Sequence, residues 1–336
     1  MPTLEEIAEL SGVSRSTVSR VINDDPHVSE RTRARVMTIV RELNYQPNAI
    51  ARGLAGGKTQ VLGLVIPTGI SNLFADPYFS ILIQGVAGVC NEENYSVMLW
   101  LAEPDFERRT IGKVLNNGLI DGILVSSALL DDPIVAALQS SGLPFVMVGR
   151  HPHAPDLHYV DVDNVTSAQE AVTHLLRLGH RRVATITGPL NTISGVDRQR
   201  GYVQALRSRG IPVDSELVVE GDFTDEGGYY AMQRLIPRRP EAIFVASDTM
   251  ALGGLRALRE AQLQAPEDVA LVSFDDMPYA ARANPPLTTM RQPIEGLGMT
   301  AARMLIDLIH HPDSGPHRVI LPTQLVIRAS CGTDLK

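Results

Sequence analysis

Along the first 45 positions, apolar residues recur at helical spacing in three short bursts. Ile7, Ala8 and Leu10 form one stripe, Val18, Val21 and Ile22 a second, and Val36, Ile39, Val40 and Leu43 a third. Each burst has a start signal. Thr3 with Glu6 reads as a capping box, and Ser14 and Ser29 as N-caps. SGVS (11–14) is a tight turn in which Gly12 is free to take positive φ, and Asn23-Asp24-Asp25-Pro26 breaks the second helix. Two helices joined by a four-residue turn, with a third in support, make a helix-turn-helix.

The second helix, within VSRSTVSRV (13–21), keeps its valines behind and sets Arg15, Ser16, Ser19 and Arg20 in front, with Thr17 beside them. In a DNA major groove, Arg forks onto guanine O6 and N7, and Ser pairs with several bases. A plain amphipathic helix with a solvated face fits this stretch alone equally well. After Pro47, NAIARGLAGG (48–57) has a weak helical pattern in Ala49, Ile50, Ala51 and Leu54. Its glycines each cost a helix up to ~1 kcal/mol, so it reads as a linker or an unstable helix.

From Val61 the period changes. Short apolar runs alternate with amphipathic helical stretches such as Tyr78–Asn91 and Asn164–Leu178. The runs are 61–67, 96–101, 122–126, 145–149, 182–187, 242–247 and 270–274, with a last one at 324–330. Such alternation predicts parallel sheets with helices on both faces. Two sheets are expected, because the pattern restarts after 158–162 and one sheet of more than about ten strands is rare. Ligands of doubly wound sheets bind beyond the carboxyl ends of the strands. Ser126, Arg150, Thr187-Gly188, Ser247-Asp248 and Asp275-Asp276 stand there, with Arg198 and Phe223 on nearby connections. Asp248 also fits as the N-cap of the helix that follows it, and Trp100 as either an aromatic platform or a core residue.

Composition narrows the choice. The 336 residues imply two or three domains with an ordinary globular balance, 44% apolar and 20% charged. Cys90 and Cys331 stand far apart, which argues against a disulfide framework and fits a reducing cytosol. The N-terminus has no apolar signal core, and no apolar run approaches the roughly 18 residues of a membrane span. The net charge of −8 divides unevenly: residues 1–58 carry +1 and the remainder −9, with Arg31, Arg33, Arg35 and Arg41 on one predicted helix. There is no GxGxxG after the first strand, no phosphate-binding GxxxxGK[ST] and no GxSxG elbow, so neither a nucleotide cofactor nor an enzyme of those types is expected. HPHAPDLH (151–158) has no acidic or Cys partner at ligand spacing, so no metal is expected.

TLEEIAELSGVSRSTVSRVIN, VSERTRARV and LNYQPNAIARGL resemble, without a gap, the N-terminus of the lactose/galactose-repressor (LacI/GalR) family of bacterial transcription regulators. LRLGHRRVATITGP (176–189), RGYVQALRSRGI (200–211), FVASDTMALGGLRAL (244–258), LVSFDDMP (271–278) and PPLTTMRQP (285–293) extend the resemblance over nearly the whole chain. It implies an all-α helix-turn-helix domain (1–46), a hinge helix (47–60) and a two-lobed α/β core (61–334) like type I periplasmic binding proteins. The core would hold two doubly wound parallel sheets, one lobe from 61–160 and 291–322 and the other from 161–290 and 323–334. Arg15, Ser16 and Arg20 match the base-reading positions, with Thr17 and Ser19 beside them. Leu54, with Ala51 on the same segment, matches a hinge wedge that unstacks one minor-groove base step. Arg198, Asp275 and Phe223 match the effector-binding Arg, Asp and stacking aromatic. Phe79, Ser126 and Ser247 match other pocket positions, with Arg150 and Asp248 as further candidates.

The expected protein is a cytoplasmic homodimeric repressor on a pseudo-palindromic DNA operator. A small effector, a mono- or oligosaccharide, would switch it, with no cofactor, metal, membrane or catalytic step. A purine-responsive co-repressed regulator and a DNA-independent sugar-binding protein are the alternatives.

Overall fold

The computed structural model describes residues 2–22, 25–45, 58–66, 70–101, 112–113, 115, 118–126, 129–130, 133–152, 154 and 156–333. The chain divides into two compact units, Met1–Thr59 and Gln60–Lys336.

The first unit is three helices, α1 (Leu4–Ser11), α2 (Arg15–Ile22) and α3 (Glu30–Glu42). Thr3 and Glu6 form the expected reciprocal box, and Gly12 ends α1 at φ +64° with its N–H on two of the helix's last carbonyls. The Ser14 hydroxyl accepts from the Thr17 N–H (3.2 Å) and the Ser29 hydroxyl from the Thr32 N–H (3.4 Å). Ile7, Val18 and Val36, one from each helix, meet in a small core. Leu10 departs from expectation and is 60% exposed. On a helical wheel Ile7, Ala8 and Ser11 share the inner face and Leu10 lies about 100° off its centre. Ser11 takes the inner place by donating to the Ile7 carbonyl (2.5 Å).

The second unit holds two six-stranded sheets. One contains β1 (Val61–Val65), β2 (Ser96–Trp100), β3 (Gly122–Ser126), β4 (Phe145–Val148), β5 (Tyr159–Val162) and β11 (Arg318–Leu321), in the order β11-β5-β4-β3-β1-β2. The other contains β6 (Val183–Thr187), β7 (Val218–Glu220), β8 (Ala242–Val245), β9 (Ala270–Asp275), β10 (Thr288–Arg291) and β12 (Gln324–Val326), in the order β12-β10-β9-β8-β6-β7. Every pairing in the first sheet is parallel. The second is mixed, because β12 runs antiparallel to β10. The chain passes between the sheets three times, at Asp163, at Gln292-Pro293 and at Pro322-Thr323.

Four strands, β5, β7, β10 and β11, were not among the predicted runs. They have three or four residues each, too few to show a period, and β7 and β11 are edge strands with exposed positions. The predicted last strand (324–330) is cut to three residues. Beyond it Arg328 donates its N–H to the Thr288 hydroxyl (2.8 Å), and the Ser330 hydroxyl bonds the Leu271 carbonyl (2.8 Å), which turns the chain across the sheet end.

Helices α5 (Pro77–Glu92), which follows the short α4 (Ile70–Ala75), and α11 (Ile294–His310) cover one face of the first sheet, and α6 (Pro133–Ser141) packs on the other. Helices α7 (Asn164–Arg177), α8 (Ile193–Ser208), α9 (Asp225–Leu235) and α10 (Asp248–Glu260) cover the second. α5 and α11 cross at glycines on both sides. A Cβ at Gly85 would lie 2.1 Å from the Glu295 carbonyl oxygen, and one at Gly298 would lie 2.3 Å from that of Leu82. Backbone cannot give way as a side chain can. Gly85→Ala is therefore expected to lower stability by about 1–3 kcal/mol in urea unfolding. An unchanged midpoint would show that the crossing is loose.

Candidate functional site

The candidate site of the core is built around one arginine. Arg198, on α8, is 5% exposed. Its Nε–H donates to Asn164 Oδ1 (2.9 Å), and its Nη1 donates to the Ala246 carbonyl (2.6 Å) and to Asp275 Oδ1 (3.4 Å). The guanidinium carbon stands 3.7 Å from the Phe274 ring centroid and 6.0 Å from that of Phe223. A guanidinium stacked on rings and hydrogen-bonded on two edges is held rigidly, with its planar donor fork preset.

Asp275 ends β9 with φ +113°, and Gln292 Nε2 donates to its Oδ1 (2.6 Å). Burial pushes its carboxyl well above the usual range, Arg198 pulls it down, and the charges of Asp248 and Asp76 push it up again. Phe223 also has a left-handed backbone, φ +66°. Its ring lies against Gly188, where a Cβ would sit 2.2 Å from the ring, so the glycine makes room for the aromatic wall.

The neighbouring carboxylate is held differently. Asp248 is fully buried and accepts from the Ser273 hydroxyl (2.5 Å), the Thr289 hydroxyl (2.7 Å) and the Met277 N–H (2.7 Å). Burial pushes its carboxyl up to about 6. The N-cap of α10 is Ser247, whose hydroxyl accepts from the Met250 N–H (3.2 Å), and not Asp248. Asp248 braces the loop that begins with Asp275.

The other expected residues are dispersed. Ser126 ends β3, fully buried. Phe79 sits on α5 in the core of the first lobe, edge-to-face with Tyr78 (5.4 Å, 89°), and Met277 of the second lobe joins that cluster. Arg150 does not reach Arg198 and Asp275. Its backbone N–H donates to Asp161 Oδ2 (3.2 Å), and its guanidinium pairs with Asp197 of α8, an ion pair from lobe to lobe. Trp100 packs with Val65, Ile123 and Val125 on the far side of the first sheet.

The sequence reading missed six residues that the fold brings here: Asp76, Tyr78, Asn164, Asp197, Tyr279 and Gln292. Asp76 caps α5 by accepting from the Tyr78 N–H (3.0 Å). Tyr78 is half-buried, and its hydroxyl pKa is raised by desolvation first and by the Asp275 charge second. The Tyr279 hydroxyl bonds that of Thr249 (2.7 Å). DPYF (76–79) was the available signal, since a cap and two adjacent aromatics open one helix there.

Asp161 supports the same corner. Burial pushes its carboxyl up to about 6 against the pull of the Val162 and Arg150 N–H groups. A carboxyl with a raised folded pKa favours the folded chain while protonated, so its contribution falls as pH rises from about 4 to about 6. Asp161→Asn has no such slope. The variant is expected to gain on the order of 2–3 kcal/mol over the native chain between pH 4 and 7 in urea unfolding. A stability difference independent of pH would overturn this.

In the three-helix unit Arg15, Ser16 and Arg20 are exposed, and Thr17 and Ser19 are half-buried. The Ser14 hydroxyl joins those of Ser16 and Thr17 (both 2.8 Å), which fixes the first turn. Arg15 pairs with Glu5 at 2.9 Å and Arg20 approaches Asp25 at 3.9 Å. Exposed pairs of this kind contribute ~0–1 kcal/mol and yield readily to another partner. Ala51 and Leu54 lie outside the described residues. Among the described residues no group of three or more His, Cys, Asp or Glu could hold a metal, and no helix is long and apolar enough to cross a membrane.

A helix-turn-helix unit with an open arginine face and a two-lobed core closing on a buried guanidinium define, in one chain, a bacterial DNA-binding regulator with a receptor core. Residues 3–48 match the bacterial regulatory proteins of the lacI family, and residues 172–331 match the periplasmic binding protein-like domain. Over 333 residues the chain is 40% identical to the HTH-type transcriptional regulator CelR of Thermobifida fusca, with 98% of each chain covered. A solved complex of CelR with cellobiose superposes with a TM-score of 0.79 at 39% identity, covering 98% of this chain and all of that one. The lac repressor dimer bound to operator and the anti-inducer ONPF superposes with a TM-score of 0.84 at 28% identity, covering 98% and 99%. The chain belongs to the lacI family of bacterial regulatory proteins.

Proposed function

We propose that this chain is a cytoplasmic, homodimeric repressor whose operator affinity is switched by a sugar held between the two lobes of its core. The observation that carries this reading is the buried Arg198–Asp275 pair beside Phe223. A guanidinium fork and a carboxylate each make paired hydrogen bonds to adjacent hydroxyls, while an aromatic face packs on the ring. The likeness to CelR, solved with cellobiose, supports a sugar over a purine. Ser126, Ser247 and Phe79 would line the pocket, and Arg150 would join the lobes through Asp197. Asp248 would position Asp275 without touching the effector. Residues 1–46 would read DNA, with Arg15, Ser16 and Arg20 on bases and Thr17 and Ser19 alongside. Residues 47–60 would form the hinge, with Ala51 and Leu54 at the minor groove. Residues 61–334 would be the effector core. The likeness to a repressor dimer on its operator supports the dimer and a pseudo-palindromic site. This reading assigns no catalytic step and no cofactor.

The effector acts only as far as it binds one lobe arrangement more tightly than the other. The test is operator binding by the full chain with and without cellobiose, glucose, ribose, hypoxanthine and guanine. Sequence-selective, salt-dependent binding that one of the sugars weakens is expected. No selective binding overturns the repressor reading, and a response to a purine alone overturns the sugar.

A further inference from the structure

The second lobe has an open cavity of about 620 Å³, lined by none of Arg198, Asp275 and Phe223 and walled by Pro189, Asn191, Glu220, Asp222, Tyr230 and Arg234. Two of the lining residues, Gly221 and Gly227, have no room for a side chain. A Cβ at Gly221 would lie 2.4 Å from the Met250 sulfur, and one at Gly227 would lie 1.8 Å from the Asp222 carboxylate. Tyr230 is 62% exposed at the rim, and its ring is set edge-to-face against Tyr229 (5.3 Å, 80°). Tyr229 is itself fixed. Its hydroxyl donates to Glu260 Oε2 (2.6 Å) and accepts from Gln233 Nε2 (2.8 Å), with the Arg256 guanidinium 4.7 Å from its ring centroid. The exposed Tyr230 ring thus leans on a fixed neighbour.

The polar wall has capacity left over. Asp222 Oδ1 accepts from the Thr224 N–H (2.9 Å) and hydroxyl (2.7 Å), and Glu220 Oε1 accepts from the Leu190 N–H (2.9 Å), which leaves one oxygen of each carboxylate. Among the described residues the side chains of Arg234 and Asn191 make no hydrogen bond or ion pair.

We propose that this cavity is a second saccharide site, outside the cleft. Two carboxylate acceptors, one planar guanidinium, one amide and one aromatic face are a set that pairs with adjacent hydroxyls and packs on a pyranose ring. Two acids against one arginine leave the wall net negative, which disfavours a phosphate or carboxylate ligand. The cavity also borders a contact between the lobes. The Asn191 carbonyl accepts from the Leu130 N–H (2.8 Å) of the first lobe, and Thr192 pairs with Leu129. A sugar bound here would adjoin that interlobe contact.

The test uses the full chain with 13C-labelled alanine methyls. Ala231 lines the cavity, and Ala246, whose carbonyl bonds Arg198, reports on the cleft. Glucose, cellobiose and ribose are each titrated to high millimolar. In the Asp275→Asn chain at least one sugar is expected to shift the Ala231 methyl saturably. Tyr230→Ala combined with Arg234→Ala abolishes that shift and leaves the Ala246 response of the native cleft intact. An Ala231 methyl that only drifts linearly or stays still with all three sugars overturns the second site, as does a saturable shift that survives both substitutions. The cleft reading fails separately, when Ala246 of the native chain ignores every sugar.

Discussion

An Asp275→Asn chain binds its operator as the native chain does and no longer responds to sugar. The substitution preserves shape, and an amide oxygen can still accept from Gln292 and Arg198, so the fold is kept. What is lost is the second carboxyl oxygen of a buried group set against the Arg198 guanidinium. Each hydrogen bond to a charged group is worth ~1.5–3 kcal/mol, and a carboxylate takes two from a pair of adjacent hydroxyls. The expected loss is ~3–5 kcal/mol, a hundredfold to several thousandfold in sugar affinity. Calorimetry measures the sugar and fluorescence anisotropy the operator. Sugar affinity within about threefold of native would remove Asp275 from the contact set.

Arg15→Ala has the second large effect, on DNA. The arginine is 68% exposed and its only described partner is the equally exposed Glu5. Its loss leaves stability within ~0.5 kcal/mol. A bidentate arginine–guanine contact discriminates by ~1–3 kcal/mol, and a dimer makes it once in each half-site. Operator affinity is expected to fall by ~2–6 kcal/mol, between about thirtyfold and about twenty-thousandfold, while binding to random DNA and its salt dependence stay nearly constant. An equal loss on random DNA would make Arg15 a phosphate contact instead.

Much of the three-helix unit was legible because its signals are local. A capping box, two serine caps and a glycine at positive φ each link residues no more than four apart. The strands read well where the run is long and buried on both faces, as in β1, β3 and β9. They failed at β5, β7, β10 and β11, where three or four residues sit at sheet edges or beside a crossing. Site residues followed the same division. Arg198, Asp275 and Phe223 lie within distinctive stretches of sequence and do gather in space. Asn164, Gln292 and Tyr78 gain meaning only from long-range contact, because each is an ordinary residue near a helix start until the lobes fold around it. The choice between Ser247 and Asp248 as cap turned on which oxygen faced the free N–H, and two adjacent good caps cannot be told apart in one dimension.

Arg198 is anchored by Asn164 and Asp275 by Gln292, and these two anchors stand at two of the three crossings between the lobes. Two of the crossings that join the lobes thus carry the partners of the groups proposed to grip the sugar. A change of lobe angle pulls on the grip, and a filled grip stiffens the joint. Thermodynamic reciprocity gives this a measurable form. If sugar changes operator affinity by some factor, bound operator changes sugar affinity by the same factor. A substitution at Asn164 or Gln292 should then shrink both numbers together, although neither residue need touch DNA or sugar.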